Sequence, residues 1–215
     1  MKDSIFVPII DNGMGLSRTS WAFSMVALCM NHIMRDRHVM IQAISYSSPA
    51  AAMNIATYDF MESGCETMLT IDTDVKFTPH HVEHLLSHGL PFVAGLYPIG
   101  RPGLTFPMEF IEGREGWGDD PETNPLLEVK RVAKGFTAIR RKVFETISPH
   151  VQTYFDPQAK REQKLFWNNL LGGHSEDFCF CDLYRSIGGS VWVDQRICTQ
   201  HDKSCIYPIE GTFAK

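Results

Sequence analysis

Thr67-Met68-Leu69-Thr70-Ile71-Asp72-Thr73-Asp74 decides the fold. Five apolar or β-branched residues in a row, stopped by Asp-Thr-Asp, read as a strand buried on both faces that ends in a polar turn. Such strands belong to parallel sheets covered by helices, and the flanking sequence supplies the helices. Upstream, Ser48 as N-cap and Pro49 at the first helical position open a helix over Ala50 to Glu62 that Gly64 stops. Downstream, Thr78-Pro79 opens another that Gly89 closes, and Phe92 to Leu96 is the next strand. Further out, Ser4 to Ile10 is a first strand ended by Asp11-Asn12-Gly13. From Thr19, the residues Trp21, Met25, Leu28, Cys29, His32 and Ile33 recur at helical spacing, and Met40 to Ile44 is a second strand. This β-α-β-α-β-α alternation predicts an α/β, Rossmann-like, mostly parallel sheet flanked by helices. Ligands in such sheets bind at the carboxyl ends of strands, where Asp72 and Asp74 fall.

Beyond residue 98 the pattern changes. Pro98 to Pro125 is rich in glycine, proline and acids and far longer than an ordinary connection, which predicts a mobile functional loop. Val129 to Ile139 has strand character around Gly135, and Val143 to Ile147 reads as a short helix. Gln158 to Leu171 reads as a basic helix closed by Gly172-Gly173. Ser175 caps a helix over Glu176 to Ile187, and the strand Val191 to Val193 and the segment Arg196 to Thr199 lead into His201.

The chain has 215 residues, 44% hydrophobic and 21% charged, which excludes a disordered tail and makes one domain the expectation. The six cysteines form no small-scaffold framework, and no signal peptide is visible at the N-terminus, so a reducing cytoplasm is expected. The longest apolar stretch, Trp21 to Met30, is too short for a membrane span. A net charge of −5 argues against binding nucleic acid by bulk charge.

Two carboxylates one residue apart after a buried strand suit a hard divalent cation, which prefers oxygen ligands and shares them with substrate phosphates. Aspartate is also common in plain turns. His201 reads equally as a polar-flanked structural histidine or as a ligand. Glu176 and Asp177 stand in a first helical turn, where the helix dipole keeps a carboxylate ionised, whether for capping or for accepting a proton. His80, His84 and His88 form a stripe best read as a solvated helix face. Cys179, Cys181, Cys198, His201 and Cys205 match no common zinc spacing. No P-loop, GxSxG or HExxH pattern occurs.

Leu69-Thr70-Ile71-Asp72-Thr73-Asp74-Val75 resembles the DxD signature of GT-A glycosyltransferases. Further blocks agree in order: Met53-Asn54-Ile55-Ala56, with Met53 where arginine is usual; Val93-Ala94-Gly95-Leu96-Tyr97-Pro98; Lys134-Gly135-Phe136-Thr137-Ala138-Ile139-Arg140-Arg141; Ser175-Glu176-Asp177-Phe178; and Trp192-Val193-Asp194 followed by His201. The resemblance, to small bacterial and phage-type enzymes of this fold, spans residues 4 to 201. It implies a metal-dependent glycosyltransferase that moves a sugar from a nucleotide diphosphate donor, UDP-glucose first, to an acceptor hydroxyl with Mn²⁺ or Mg²⁺. By the resemblance, residues 1–100 bind the donor and 101–215 the acceptor. Asp74 and His201 hold the ion, Asp72 holds the ribose or a metal-bound water, and Asn54 lies at the donor. Asp177 acts as base near the acceptor, with Glu176 as second candidate.

An acidic acceptor such as hydroxymethylated phage DNA would be met by Lys130, Arg131, Lys134, Arg140, Arg141, Lys142, Lys160, Arg161 and Lys164, with Trp117, Phe155 or Trp167 stacking; a glycan or protein hydroxyl is the other acceptor class. Two rivals stand beside this reading. One is a sugar-nucleotidyltransferase, to whose phosphate loop Asp11-Asn12-Gly13-Met14-Gly15-Leu16-Ser17-Arg18 bears a weak likeness. The other is a non-catalytic module that binds a nucleotide sugar or nucleic acid.

Overall fold

The computed structural model describes residues 4–11, 19–46, 48–99, 105–114, 116–117, 120–168, 173–203 and 205–206. In chain order the elements are β1 (Ile5–Asp11), α1 (Thr19–Met34), β2 (Val39–Ser45), α2 (Pro49–Ser63), β3 (Thr67–Ile71), β4 (Val75–Lys76), α3 (Pro79–Ser87) and β5 (Phe92–Leu96). The second half adds β6 (Met108–Glu109), β7 (Leu126–Val129), β8 (Arg131–Val132), β9 (Phe136–Arg140), α4 (Arg141–Ile147), β10 (Thr153–Asp156), β11 (Arg161–Lys164), α5 (Glu176–Ser186), β12 (Val191–Cys198), β13 (Gln200–Lys203) and β14 (Cys205–Ile206).

The punctuation residues do what their chemistry dictates. Ser48 is extended (φ −115°) and accepts from the Ala51 amide, while Gly64 closes α2 in the left-handed region at φ 71°. Thr78 and His81 form a reciprocal capping box at the start of α3, with proline in the first turn. The central sheet has the order β2-β1-β3-β9-β5-β12-β7. Five of its seven strands run one way, and β9 and β7 run against them. Strand alternation sends Ile5 and Val7 to one face, under Trp21, Met25 and Leu28 of α1 and Val82 and Leu85 of α3. Phe6 and Met68 go to the other face, under Phe60 of α2, Phe144 of α4 and Phe180 of α5. The result is three layers, with the carboxyl ends of β1, β3, β5 and β12 on one rim.

One expectation needs correction and three are refined. Gln158 to Leu171 is no helix in its described part: Asp156 Oδ1 accepts the amides of Gln158 (2.9 Å) and Ala159 (2.8 Å), Lys160 turns left-handed (φ 52°), and the chain returns as β11 paired antiparallel with β10. Arg161-Glu162-Gln163-Lys164 offers no apolar period, and an Asx turn decides the matter. Residues 169–172 lie outside the described set. Val129 to Ile139 is three short strands, β7, β8 and β9, and β9 inserts antiparallel between β3 and β5. The loop from Pro98 is partly tied down, by an Ile99–Thr105 bridge and by β6 pairing with β8. The strand at Val191 extends to Cys198, with a register break after Asp194.

Candidate functional site

The rim at the carboxyl end of β3 collects the residues that carry chemistry. Asp72 follows β3 directly; its amide donates to Gly135 O (2.9 Å) and its carbonyl accepts from Val75 N (2.9 Å), which ties the Asp-Thr-Asp turn to the entry of β9. β4 then pairs with β13 so that His201 lies opposite Val75. That register sets His201 Nε2 3.1 Å from Asp74 Oδ2, although 127 residues separate the two in sequence. The other ring nitrogen, Nδ1, is 2.8 Å from Pro98 O. A carbonyl can only accept, so Nδ1 carries the proton. Nε2 therefore faces a carboxylate oxygen, a contact that a cation between them completes, either a proton or a metal ion. Tyr97 packs edge-on against the His201 ring at 5.2 Å and holds it in place.

Beside this pair stand three more charged groups. Lys134 donates from Nζ to Glu176 Oε1 (2.8 Å) and from its amide to Asp177 Oδ2 (3.3 Å). The turn that carries it is anchored by Thr70, whose hydroxyl donates to Lys134 O (2.5 Å) beside Thr137. Asp177 is 8% exposed at the start of α5; its Oδ1 accepts from the Phe178 amide (2.9 Å) and from the Ser175 hydroxyl. Ser175 thus serves the carboxylate rather than the helix backbone. Among the described residues Oδ2 has only the long contact with the Lys134 amide.

Burial pushes the Asp72 carboxyl above the usual range, and Asp74 and Asp177 add to the push while Lys134 and His201 oppose it. Burial pulls Lys134 down, but Asp72, Glu176 and Asp177 outweigh it and hold the ammonium above the ordinary lysine value. Glu176 is pushed up by burial, and its pairing with Lys134 wins and leaves it below the ordinary range. Burial raises Tyr97 far above its usual value and keeps its hydroxyl neutral. Among the described residues, Asp72, Glu176 and Asp177 gather around the Lys134 ammonium with Asp74 next to Asp72, and a cluster of this sign favours a cation. The donor set of Asp74 and His201 fits a divalent ion that takes its remaining ligands from substrate oxygens. Among the described residues no group of three or more His, Cys, Asp or Glu is arranged to hold a metal unaided.

The structure therefore assembles Asp72, Asp74, His201, Glu176 and Asp177 in one place. Asn54 is elsewhere: it is 2% exposed, donates from Nδ2 to Trp167 O (2.9 Å) and accepts from Trp167 N at Oδ1 (2.9 Å). It clamps a backbone segment, and the expectation that it meets a donor is corrected. Lys134, which the sequence grouped with the cations that could meet an acidic acceptor, stands instead among these carboxylates. A signal was available in Gly135, where a Cβ would come within 2.5 Å of the Tyr97 ring, marking a backbone pressed against the site.

The cations proposed to face an acidic acceptor are largely engaged within the chain. Arg131 pairs with Asp182 and Glu109 (2.7 Å each), Arg161 with Asp59 (2.8 Å), and Lys130 lies 4.0 Å from Glu109. Arg141 donates to the carbonyls of Phe60, Met61 and Cys65 (2.8 Å each), and Lys164 to Ser148 O (3.1 Å). Trp167 is 1% exposed and stacked on Phe180, so it cannot stack on a base, whereas Phe155 (61%) and Trp117 (40%) are exposed. Asn12 to Arg18, most of the phosphate-loop likeness, lies outside the described residues, as does the side chain of Cys205. The histidine stripe is not wholly solvated, since His88 Nε2 bonds Asp194 Oδ2 at 2.7 Å. No described helix is long and apolar enough to cross a membrane.

No protein-family model matches the chain, and no curated protein does. Among solved structures it is similar to "A197 from STIV", over 99% of this chain and 100% of that one, with 16% identity and a TM-score of 0.52. That likeness shows a shared α/β fold. Looser likenesses are to a glycosyltransferase involved in glycosylation of the major capsid of PBCV-1 (7% identity, 66% of this chain and 62% of that one, TM-score 0.36) and to a protein assigned as a glucose-1-phosphate thymidylyltransferase from Bacillus anthracis (14%, 89% of each chain, TM-score 0.43). At those scores the superposed frameworks differ too much to speak to the chemistry of this chain.

Proposed function

We propose that this chain is a glycosyltransferase that uses a divalent ion, Mn²⁺ or Mg²⁺, to move a sugar from a nucleotide diphosphate donor, with UDP-glucose the first candidate, to an acceptor hydroxyl. The observation that carries the reading is the Asp74–His201 pair, 3.1 Å apart with Nδ1 fixed on Pro98 O, at the carboxyl end of a parallel strand. Asp74 and His201 would hold the ion, with Asp72 beside them, and the ion would stabilise charge on the departing diphosphate. Asp177 presents Oδ2 to the acceptor hydroxyl and takes its proton. Its other oxygen is held by Ser175 and Phe178, which fixes the orientation of the carboxylate. Glu176, tied to Lys134, aims the ammonium between Asp72 and Asp177 rather than acting as a base itself.

The test is nucleotide release from UDP-, GDP-, TDP- and CDP-sugars with and without Mn²⁺, wild type beside Asp74→Ala. Slow hydrolysis of one donor that needs both the ion and Asp74 is expected. Absence of release and of metal-dependent binding for every donor overturns the reading.

A further inference from the structure

Helix α1 carries two apolar faces, and the sheet uses only one. Trp21, Met25 and Leu28 are buried against the core together with Ser24 and His32. On the opposite face Phe23, Val26, Met30 and Ile33 are 72, 60, 55 and 69% exposed, although helical spacing alone would place Ile33 with the core set. A lone exposed apolar side chain is ordinary, but four on one helix face mark an interaction surface. Their spacing is three, four and three residues, the a/d stripe by which one helix meets another, and Ala27 lies exposed between Phe23 and Met30 where a partner backbone can approach. On the same side of the sheet the edge strand β2 presents Ile41, 42% exposed.

We propose that this stripe is the interface of a homodimer, in which α1 of one copy packs on α1 of the other about a two-fold axis. Three observations favour a second copy. The stripe is apolar along its whole length, so the same patch on a second copy is a chemically matched partner for it, as in an isologous contact. Thr19 to Met34 contains no Asp, Glu, Lys or Arg, so pairing two copies buries no charge and opposes no like charges. Side chains of these types expose on the order of 150–220 Å² each when fully solvated, so the stripe offers roughly 450 Å² per copy, and Ala27 and Ile41 carry the pair past the ~1,000 Å² of a small specific interface. A lipid surface fits less well. Helices that lie on membranes present cations on their polar face, whereas Arg35 and Arg37, just beyond α1, both bond Glu83, at 3.1 and 2.8 Å.

The experiment is sedimentation velocity on the full chain between about 1 and 200 μM, for wild type, Val26→Glu and Met30→Glu, with thermal unfolding of each variant as a folding control. The expected result is a concentration-dependent shift from 24.4 kDa to twice that mass, with a micromolar dissociation constant weakened at least tenfold in both variants at unchanged melting temperature. A wild type that stays monomeric at the highest concentration overturns the proposal. So does a dimer that both variants retain, which would place the interface elsewhere. Flotation of a monomer with phosphatidylcholine–phosphatidylglycerol vesicles, lost in Val26→Glu, would assign the face to lipid and overturn it as well.

Discussion

Asn54→Ala separates a binding role for Asn54 from a structural one. Both polar ends of the side chain are spent on the main chain of Trp167, 113 residues away, at 2.9 Å each. Trp167 is 1% exposed, stacks on Phe180 at 4.1 Å and donates its indole N–H to Thr57 (2.8 Å). Truncation leaves one buried N–H and one buried C=O without partners, at about 1–3 kcal/mol each. A water entering the vacated space would recover part of that, so the net loss is about 2–4 kcal/mol. With a urea m-value of about 2–3 kcal/mol/M for a chain of this length, the unfolding midpoint drops by about 0.7–2 M. The assay is urea unfolding followed by circular dichroism and tryptophan fluorescence, beside donor binding measured well below the transition. The expected variant unfolds early and binds donor as wild type does once folded. A midpoint within about 0.3 M of wild type, combined with lost donor binding, would refute the clamp and restore Asn54 to the donor site.

Asp177→Asn keeps metal-dependent donor binding and loses at least a hundredfold in turnover of that donor; an unimpaired variant removes Asp177 as base. Gly135→Ala drives a Cβ to within 2.5 Å of Tyr97, the residue that backs His201. It costs about 1–3 kcal/mol by overpacking, and a double-mutant cycle with Tyr97→Leu recovers part of that loss; strict additivity would show that the ring is not what the new methyl meets. His32 is fully buried with neither ring nitrogen hydrogen-bonded, and burial first, then Arg37 and Arg35 against the pull of Glu83, holds it below its ordinary value, so the 3.7 Å approach to Glu83 is no ion pair at neutral pH. The unfolded chain, with a histidine near 6.5, then binds the proton first. Stability from His32 is complete above that pH and declines as pH falls below it toward the folded value. Urea midpoints at pH 7.5 and 5.5 should therefore separate less in His32→Leu than in wild type, whose His81 and His84 are lowered in the same direction.

The first hundred residues were legible because each junction carries a residue with few conformational options. Ser48-Pro49, Gly64 and Thr78-Pro79 name helix ends by backbone chemistry alone, and the strands between them are apolar on both faces. β9 was legible as a strand but not as an antiparallel one, since Phe-Thr-Ala-Ile-Arg states a pleat and says nothing of its neighbours. Gln158 to Lys164 failed for a related reason. Where no apolar period exists, one side chain decides, and Asp156 capturing two amides makes a hairpin.

Polar residues divide by what their partners leave over. Asn54 and Lys134 both have decisive contacts far away in sequence, so no local pattern could have sorted them. Asn54 reads as a ligand residue until it is seen buried, with its amide bonded at both ends to the main chain of Trp167. Lys134 reads as surface charge until Asp72, Glu176 and Asp177 close around it. The Asp74–His201 pair differs from both. With Nδ1 committed to Pro98, Nε2 faces the Asp74 carboxylate, and either a proton or a metal ion between the two completes that contact. Function is argued best from that remainder, because a group whose bonding is complete inside the chain has no chemistry left to offer a substrate.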